Sequence, residues 1–328
     1  MSSMPKTTRR ALLGVGAGAV VMTASRVMAQ GSSNPRVWLD MDQAALDAAY
    51  DNQAYAKNPP AVGKRSKFYS DAARTRLGEP QRFAYGPTAI EGVDVYRAKR
   101  KNAPILVYIH GGGWRSGSAR NDAFIAEMYV DAGITFVAVD YVGVNDTGGS
   151  LLPLGQQVRK AVAWVHANAR RFDGDPDRLY VAGHSAGGHL SAVVLTTDWS
   201  TFGLPADTVK GGLTASGMYD LRPVRLSSRS RYVQIDDEAE RTLSPLRHLD
   251  KLTTPVIVAY GSEETPEFQR QGRDFAAALK SAGKPVELVV GEGYNHFELN
   301  ETLANPYGAL GRAVLAQIRG PEGRRGSA

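Results

Sequence analysis

Two short glycine-flanked motifs hold the residue types that nucleophilic chemistry needs. Gly183-His184-Ser185-Ala186-Gly187 sets a serine between glycines, after the apolar run Leu179–Ala182 and before an alanine-rich stretch. In that context GxSxG forms a sharp strand-to-helix turn that lifts the hydroxyl above its strand. His110-Gly111-Gly112-Gly113-Trp114 follows a second apolar run, Ile105–Ile109. Its glycines let backbone N–H groups point into a site with no Cβ in the way. Gly112 and Gly113, with the amide of Ala186, are therefore the expected donors to an oxyanion.

A serine hydroxyl is a poor nucleophile until a base removes its proton, so a histidine is required. Position discriminates among the six histidines present. His110 opens the glycine loop, His166 falls within a helical pattern, His184 and His189 adjoin the serine, and His248 precedes a strand. His296, in Gly293-Tyr294-Asn295-His296-Phe297, follows the last predicted strand, where the chain order serine, acid, histidine puts the base. The acid is expected just after Pro255–Tyr260, in Gly261-Ser262-Glu263-Glu264-Thr265-Pro266-Glu267. Glu264, the third residue after the glycine, is the expected carboxylate that orients the imidazole. Glu263 is its rival, and Glu267 is assigned to the first turn of the following helix. Trp114 and Phe297 adjoin these motifs and are expected to line the substrate pocket.

The elements that must position these groups alternate in type. Ile105–Ile109, Thr135–Val139, Leu179–Ala182, Gly212–Ala215, Pro255–Tyr260 and Val286–Val290 read as strands, and Asp122–Asp131, Gln156–Ala169, Ala186–Thr197, Pro266–Ala282 and Ala309–Ile318 as helices. Such alternation predicts an α/β fold with a mostly parallel sheet and helices on both faces. Residues 81–320 read as one catalytic domain. Before it, residues 30–80 read as a short helix followed by a surface arm punctuated by Pro59 and Pro60; after it, residues 321–328 read as a flexible tail. Tyr219–Ser244 breaks the alternation and carries Arg222, Arg225, Arg229 and Arg231, then Asp236, Asp237, Glu238 and Glu240. It is either a small cap over the edge of the sheet or a solvated, self-paired insertion.

Composition narrows the chemistry further. The chain has 328 residues, 43% of them hydrophobic, and no cysteine, which excludes a thiolate nucleophile, cysteine-ligated zinc and a CxxC redox pair. HExxH is absent. Asp173-Gly174-Asp175-Pro176-Asp177 has Arg178 and His184 where a calcium loop needs its glycine and terminal glutamate. No metal and no cofactor are expected. Of the net charge of +6, Lys6, Arg9, Arg10 and Arg26 supply four, and residues 1–30 contain no acid. The nearly neutral remainder makes no case for nucleic acid.

Thr8-Arg9-Arg10-Ala11-Leu12-Leu13 begins an uncharged Ala/Gly/Val stretch ending near Ser25, with small residues before a cleavage point after Ala29. Residues 1–29 thus read as a twin-arginine export signal, and the protein as periplasmic or secreted. The stretch is too short and too weakly apolar for a lasting membrane anchor. Gly14–Ala19 fits GxGxxA with Asp40 downstream, but no strand precedes it, so a dinucleotide site is not expected.

The chain resembles the α/β-hydrolase family, in the branch of kynurenine formamidases (arylformamidases) and small carboxylesterases. The likeness rests on the motifs at 110–114, 183–189, 264–271 and 294–297 and spans residues 40–318. It implies the α/β-hydrolase fold, a Ser185–His296–Glu264 triad, an acyl-enzyme intermediate and a small acyl substrate. An acid that is Glu where Asp is frequent, and an export signal, depart from the formamidase pattern. Three functions are in view: hydrolysis of small carboxylic esters, hydrolysis of N-formyl aryl amides, and a non-catalytic binding module on the same scaffold.

Overall fold

The computed structural model describes residues 34–323. In chain order they form α1 (Gln43–Ala49), α2 (Asn52–Tyr55), α3 (Pro59–Leu77), β1 (Gln81–Ala84), β2 (Gly92–Tyr96), β3 (Ala103–Ile109), α4 (Ala126–Asp131), β4 (Thr135–Val139), α5 (Leu152–Asn168), β5 (Gly174–His184), α6 (Ala186–Leu195), β6 (Gly212–Ala215), α7 (Arg222–Leu226), α8 (Asp237–Leu243), β7 (Val256–Gly261), α9 (Pro266–Ser281), β8 (Val286–Gly291), α10 (His296–Glu301) and α11 (Ala309–Gly323). The export signal expected at 1–29 lies outside the described residues.

The eight strands make one sheet in the order β1-β2-β4-β3-β5-β6-β7-β8. Pairing is parallel from β4 through β8 and antiparallel for β1 with β2 and β2 with β4. Side chains alternate between its faces, as the period of a strand requires. Ile105, Val107 and Ile109 of β3 face one core with Val158 and Val162 of α5 and Phe275 of α9, while Leu106 and Tyr108 face the other with Leu310 and Val314 of α11. These are the three layers that alternating elements predict.

The strand order reverses direction at β3. The chain steps from β3 to β4 on one side, then crosses to β5 on the other, and a doubly wound sheet opens a crevice at the carboxyl ends of such a pair. Ile109, the last residue of β3, lies in register with Gly183 near the end of β5. The two glycine motifs, over seventy residues apart in sequence, therefore emerge side by side.

Two expectations are corrected, and two edge strands are added to the sheet. The arm expected after a short N-terminal helix is instead the 19-residue α3. Pro59 and Pro60 occupy its first turn, where a missing N–H costs nothing. Strands β1 and β2 add an antiparallel edge. In β2 the polar Asp94 is buried beside Val93 and Val95 because Arg82 of β1 binds its carboxylate at 2.8 Å. The last helix does not stop at Ile318 but runs to Gly323 through a kink at Gly320, so the expected tail begins inside it.

Tyr219–Ser244 folds into α7, a 3-10 turn and α8. Val224, Val233, Ile235 and Leu243 anchor it in the core. It lies against α1, through Gln43 Nε2 on Leu226 O and Ser228 N on Asp47 Oδ1. Its Arg229 and Tyr232 lie against the loop after β3. Some of its charges do pair internally: Arg225 binds Asp237 at 2.5 Å and Glu240 at 3.3 Å.

Candidate active site

Ser185 joins β5 to α6 with φ 58° and ψ −122°, a conformation that L-residues rarely adopt. Holding it costs on the order of 1–3 kcal/mol. Its own N–H donates to Ala215 O, and its carbonyl accepts from His189 N, both at 2.9 Å. The turn admits no bulk on its inner side, since a Cβ at Gly187 would lie 1.9 Å from Ile109 O. The loop after β3 is equally constrained. Gly112 has φ 118°, and a Cβ there would meet Ser116 O at 2.0 Å.

His296 is the first residue of α10, whose N-cap Asn295 accepts from Phe297 N and Glu298 N at 3.0 and 3.1 Å. The cap fixes where the imidazole leaves the backbone. Ser185 Oγ lies 2.9 Å from His296 Nε2, and His296 Nδ1 lies 3.0 Å from Glu264 Oε2. A hydroxyl donor on one side and a carboxylate acceptor on the other require the tautomer with its proton on Nδ1. Glu264 is buried, and its second oxygen accepts Ser216 Oγ–H at 2.5 Å and Gly261 N–H at 2.7 Å. Those bonds hold the carboxylate plane still while it orients the ring.

Phe268 and Phe297 set their rings edge-on to His296, at 5.0 and 5.4 Å between centroids. Of the six histidines only His296 bonds the Ser185 hydroxyl or the Glu264 carboxylate. His189 accepts the Trp114 indole N–H at 3.2 Å on Nδ1, so its Nε2–H donates to Leu243 O at 2.7 Å. Burial pushes it down to about 4, despite that bond to Leu243. His184 is pushed well below the usual imidazole range, first by burial and then by the neighbouring His296. His110 is lowered by burial, stacks on Tyr141 at 4.3 Å and bonds the Gly111 carbonyl at 2.8 Å.

The rival acids separate cleanly. Glu263 is exposed, 3.7 Å from Lys57. Glu267 sits in the first turn of α9, where Arg270 grips both carboxylate oxygens at 2.7 and 2.8 Å. The amides of Gly112, Gly113 and Ala186 donate to no protein acceptor among the described residues. Gly111 brings their loop to Ser185, its Cβ position lying 3.3 Å from Ser185 Cβ.

The pocket expectation for Trp114 is corrected. Its side chain has no solvent-accessible surface and bonds His189 beneath the turn, so it braces the elbow helix and offers nothing to a substrate. Its φ of 62° turns it inward. Phe297 remains half-buried beside His296. Ser216 was missed by the sequence reading, because a lone serine after β6 carries no motif; its φ of 51° marks it only in three dimensions. No group of three or more metal-ligating side chains occurs among the described residues.

The BD-FAE family model matches residues 93–208, from β2 past the elbow. A kynurenine formamidase from Danio rerio is 32% identical over 247 residues, covering 71% of this chain and 80% of that one. Esterase LipC of Mycobacterium tuberculosis is 28% identical over 262 residues, covering 73% and 62%. A hyperthermophilic esterase from Pyrobaculum calidifontis superposes with a TM-score of 0.63 at 22% identity, covering 84% and 94%, and so shares the fold. Shared over most of both chains with a formamidase and matched in architecture by esterases, this chain belongs to the α/β-hydrolase family, in the branch of kynurenine formamidases and small esterases, and is a hydrolase.

Proposed function

We propose that the protein is a serine hydrolase of small carboxylic esters that works through an acyl-enzyme. Ser185 Oγ attacks the carbonyl carbon while His296 Nε2 takes its proton, and Glu264 stabilises the imidazolium that forms. The amides of Gly112, Gly113 and Ala186 bind the oxygen as it becomes negative, each such donor being worth about 10²–10³ in rate. The imidazolium then protonates the departing alkoxide. Water, deprotonated by the same histidine, attacks the acyl group and releases Ser185.

The observation that carries this reading is the unbroken chain Ser185 Oγ–His296–Glu264, at 2.9 and 3.0 Å. A non-catalytic module would have no need of a strained serine aimed at an oriented imidazole. Labelling of the purified protein by a fluorophosphonate, absent in Ser185→Ala, tests the nucleophile.

The same machinery would cleave an N-formyl aryl amide, and the 32% identity to a kynurenine formamidase favours that second reading. Turnover of p-nitrophenyl acetate against N-formylkynurenine separates the two. A negligible rate on every short ester removes the first reading. The Arg9-Arg10 leader points to periplasmic export; a fusion of residues 1–35 to a reporter that stays in the cytoplasm rejects that placement.

A further inference from the structure

Arg229 stands beside both halves of the reaction centre. A side chain at Gly113 would come within 4.0 Å of its Nη1, so the guanidinium flanks the oxyanion loop. Its Cζ lies 5.8 Å from the Phe268 ring, whose edge in turn faces His296. One ring therefore separates this cation from the base.

Its hydrogen bonds leave the charge unanswered. Nη1 donates to Tyr232 Oη at 2.9 Å and Nη2 to Tyr50 O at 3.0 Å, both neutral acceptors, and the buried Nε–H has no partner. A guanidinium keeps its charge at any physiological pH and offers further N–H groups beyond these. Glu267 is gripped by Arg270, Asp47 accepts Ser228 N–H at 2.6 Å, and Asp237 and Glu240 pair with Arg225. Neither Arg229 nor Arg115, whose guanidinium stacks 3.9 Å above the Tyr232 ring, forms an ion pair among the described residues.

A half-buried guanidinium that lies over the Tyr50 and Phe268 rings at 5.5 and 5.8 Å, makes no ion pair among the described residues and keeps N–H groups to spare is available to an incoming anion. Pinning the Tyr50 carbonyl and the Tyr232 hydroxyl needs only neutral donors. We propose that Arg229, with Arg115 at the rim, is a subsite for a carboxylate carried by the substrate, so that the protein acts on acyl compounds bearing a free acid rather than on neutral esters. Arginine suits this role because its planar fork matches a carboxylate two donors at a time. The inference rests on Ser185 being the nucleophile and names the substrate class it serves. Binding through Arg229 would hold the scissile carbonyl against the oxyanion loop, adding orientation to affinity.

The test uses matched pairs on the mature protein. One pair carries the charge on the leaving group, 4-acetoxybenzoate against its methyl ester; the other carries it on the acyl side, mono-p-nitrophenyl glutarate against p-nitrophenyl pentanoate. Wild type is expected to show kcat/KM at least tenfold higher for the charged member of one pair. Arg229→Met should lower that charged-to-neutral ratio tenfold or more, chiefly through KM, and Arg229→Lys should recover part of it. A ratio at or below one in both pairs for wild type, or an equal loss on both members in Arg229→Met, overturns the proposal. The wild-type ratio stands even where a variant folds poorly.

Binding of intact 4-acetoxybenzoate and its methyl ester to Ser185→Ala, measured by calorimetry, keeps the two readings apart. If the charged compound binds preferentially through Arg229 while wild type cleaves no ester, the ester reading fails and the subsite survives. If both esters are cleaved and bound without regard to charge, the subsite fails and the hydrolase reading survives.

Discussion

The turn around Ser185 and the segment from Tyr219 to Ser244 face the same crevice but are held by different physics. The turn is fixed by backbone. It stands at the adjoining carboxyl ends of β3 and β5, and a single Cβ at Gly187 would strike a carbonyl at 1.9 Å. The segment is fixed by side chains. A few apolar anchors sink into the core, while the groups nearest the crevice are held by the two hydrogen bonds of Arg229 and by Arg115 stacked on the Tyr232 ring. The first kind of construction tolerates no change and suits a reaction whose geometry must repeat. The second tolerates substitution at modest cost and suits the choice of what enters.

The largest expected effects test the backbone-fixed region. Ser185→Ala should lower kcat on any accepted ester by about 10⁵–10⁶, with little change in melting temperature. Retention of more than a few per cent of the rate would place the nucleophile elsewhere. Glu264→Gln should cost about 10³–10⁴ in kcat, because an amide does not enforce the Nδ1–H tautomer. Glu263→Gln, which disturbs only an exposed contact with Lys57, should stay within about twofold. If the two glutamates exchanged effects, the acid would have been misassigned. Gly187→Ala should destabilise by about 3 kcal/mol or more, since the obstacle is a backbone carbonyl that cannot move aside. A near-normal denaturation midpoint would show the elbow to be less rigid than its packing implies.

How much of this was legible in the sequence follows the same division. Residues 110–113 and 183–187 could be read directly, because a positive φ or a close backbone approach restricts the residue type at the very position where it occurs. The parallel strands were legible for a related reason: buried on both faces, they leave continuous apolar runs such as Ile105–Ile109. What escaped notice depends on distant partners. Strand β2 holds a buried Asp94 that only Arg82 makes acceptable. Pro59-Pro60 reads as a break until the helix it begins is seen to bury Val62 and Ala73. Ser216 matters only because Glu264, 48 residues downstream, brings its carboxylate to it. Trp114 looked like a pocket residue from its neighbours in sequence, and its φ of 62° turns it into the core. Arg229 was one arginine in a charged run, and only the fold places it beside Gly113 and the Phe268 ring.

Acid pH should act on the core beneath the elbow before it acts on the segment above. His189 is buried and neutral, with its proton affinity pushed down to about 4 from an ordinary value near 6.5. The unfolded chain therefore takes up a proton that the folded chain refuses. The stabilisation is complete above about pH 6.5 and is lost as pH falls toward 4, amounting to about 3 kcal/mol over that span. His184, lowered for the same reason, acts in the same direction. Denaturant midpoints measured between pH 7 and pH 4 should fall, and His189→Gln should flatten part of the fall at the expense of stability at pH 7. A midpoint independent of pH in wild type would mean that His189 is protonated in the fold, in conflict with its accepting the Trp114 N–H.

The smallest effect belongs to the charged cluster on the outside of the segment. Arg225 reaches Asp237 at 2.5 Å and Glu240 at 3.3 Å, and Asp237 is almost fully exposed. Contacts of this kind gain little Coulomb energy in water, lose side-chain entropy and are screened by salt. Arg225→Gln should therefore leave the denaturation midpoint nearly unchanged, measured by chemical denaturation at low and high salt. Activity on neutral and charged esters should change together if it changes at all, because Arg225 spends its charge on partners within the segment whereas Arg229 does not. A selective loss on charged substrates in Arg225→Gln would erase the distinction between the two arginines. The segment would then act as a diffuse positive surface rather than through one aimed guanidinium.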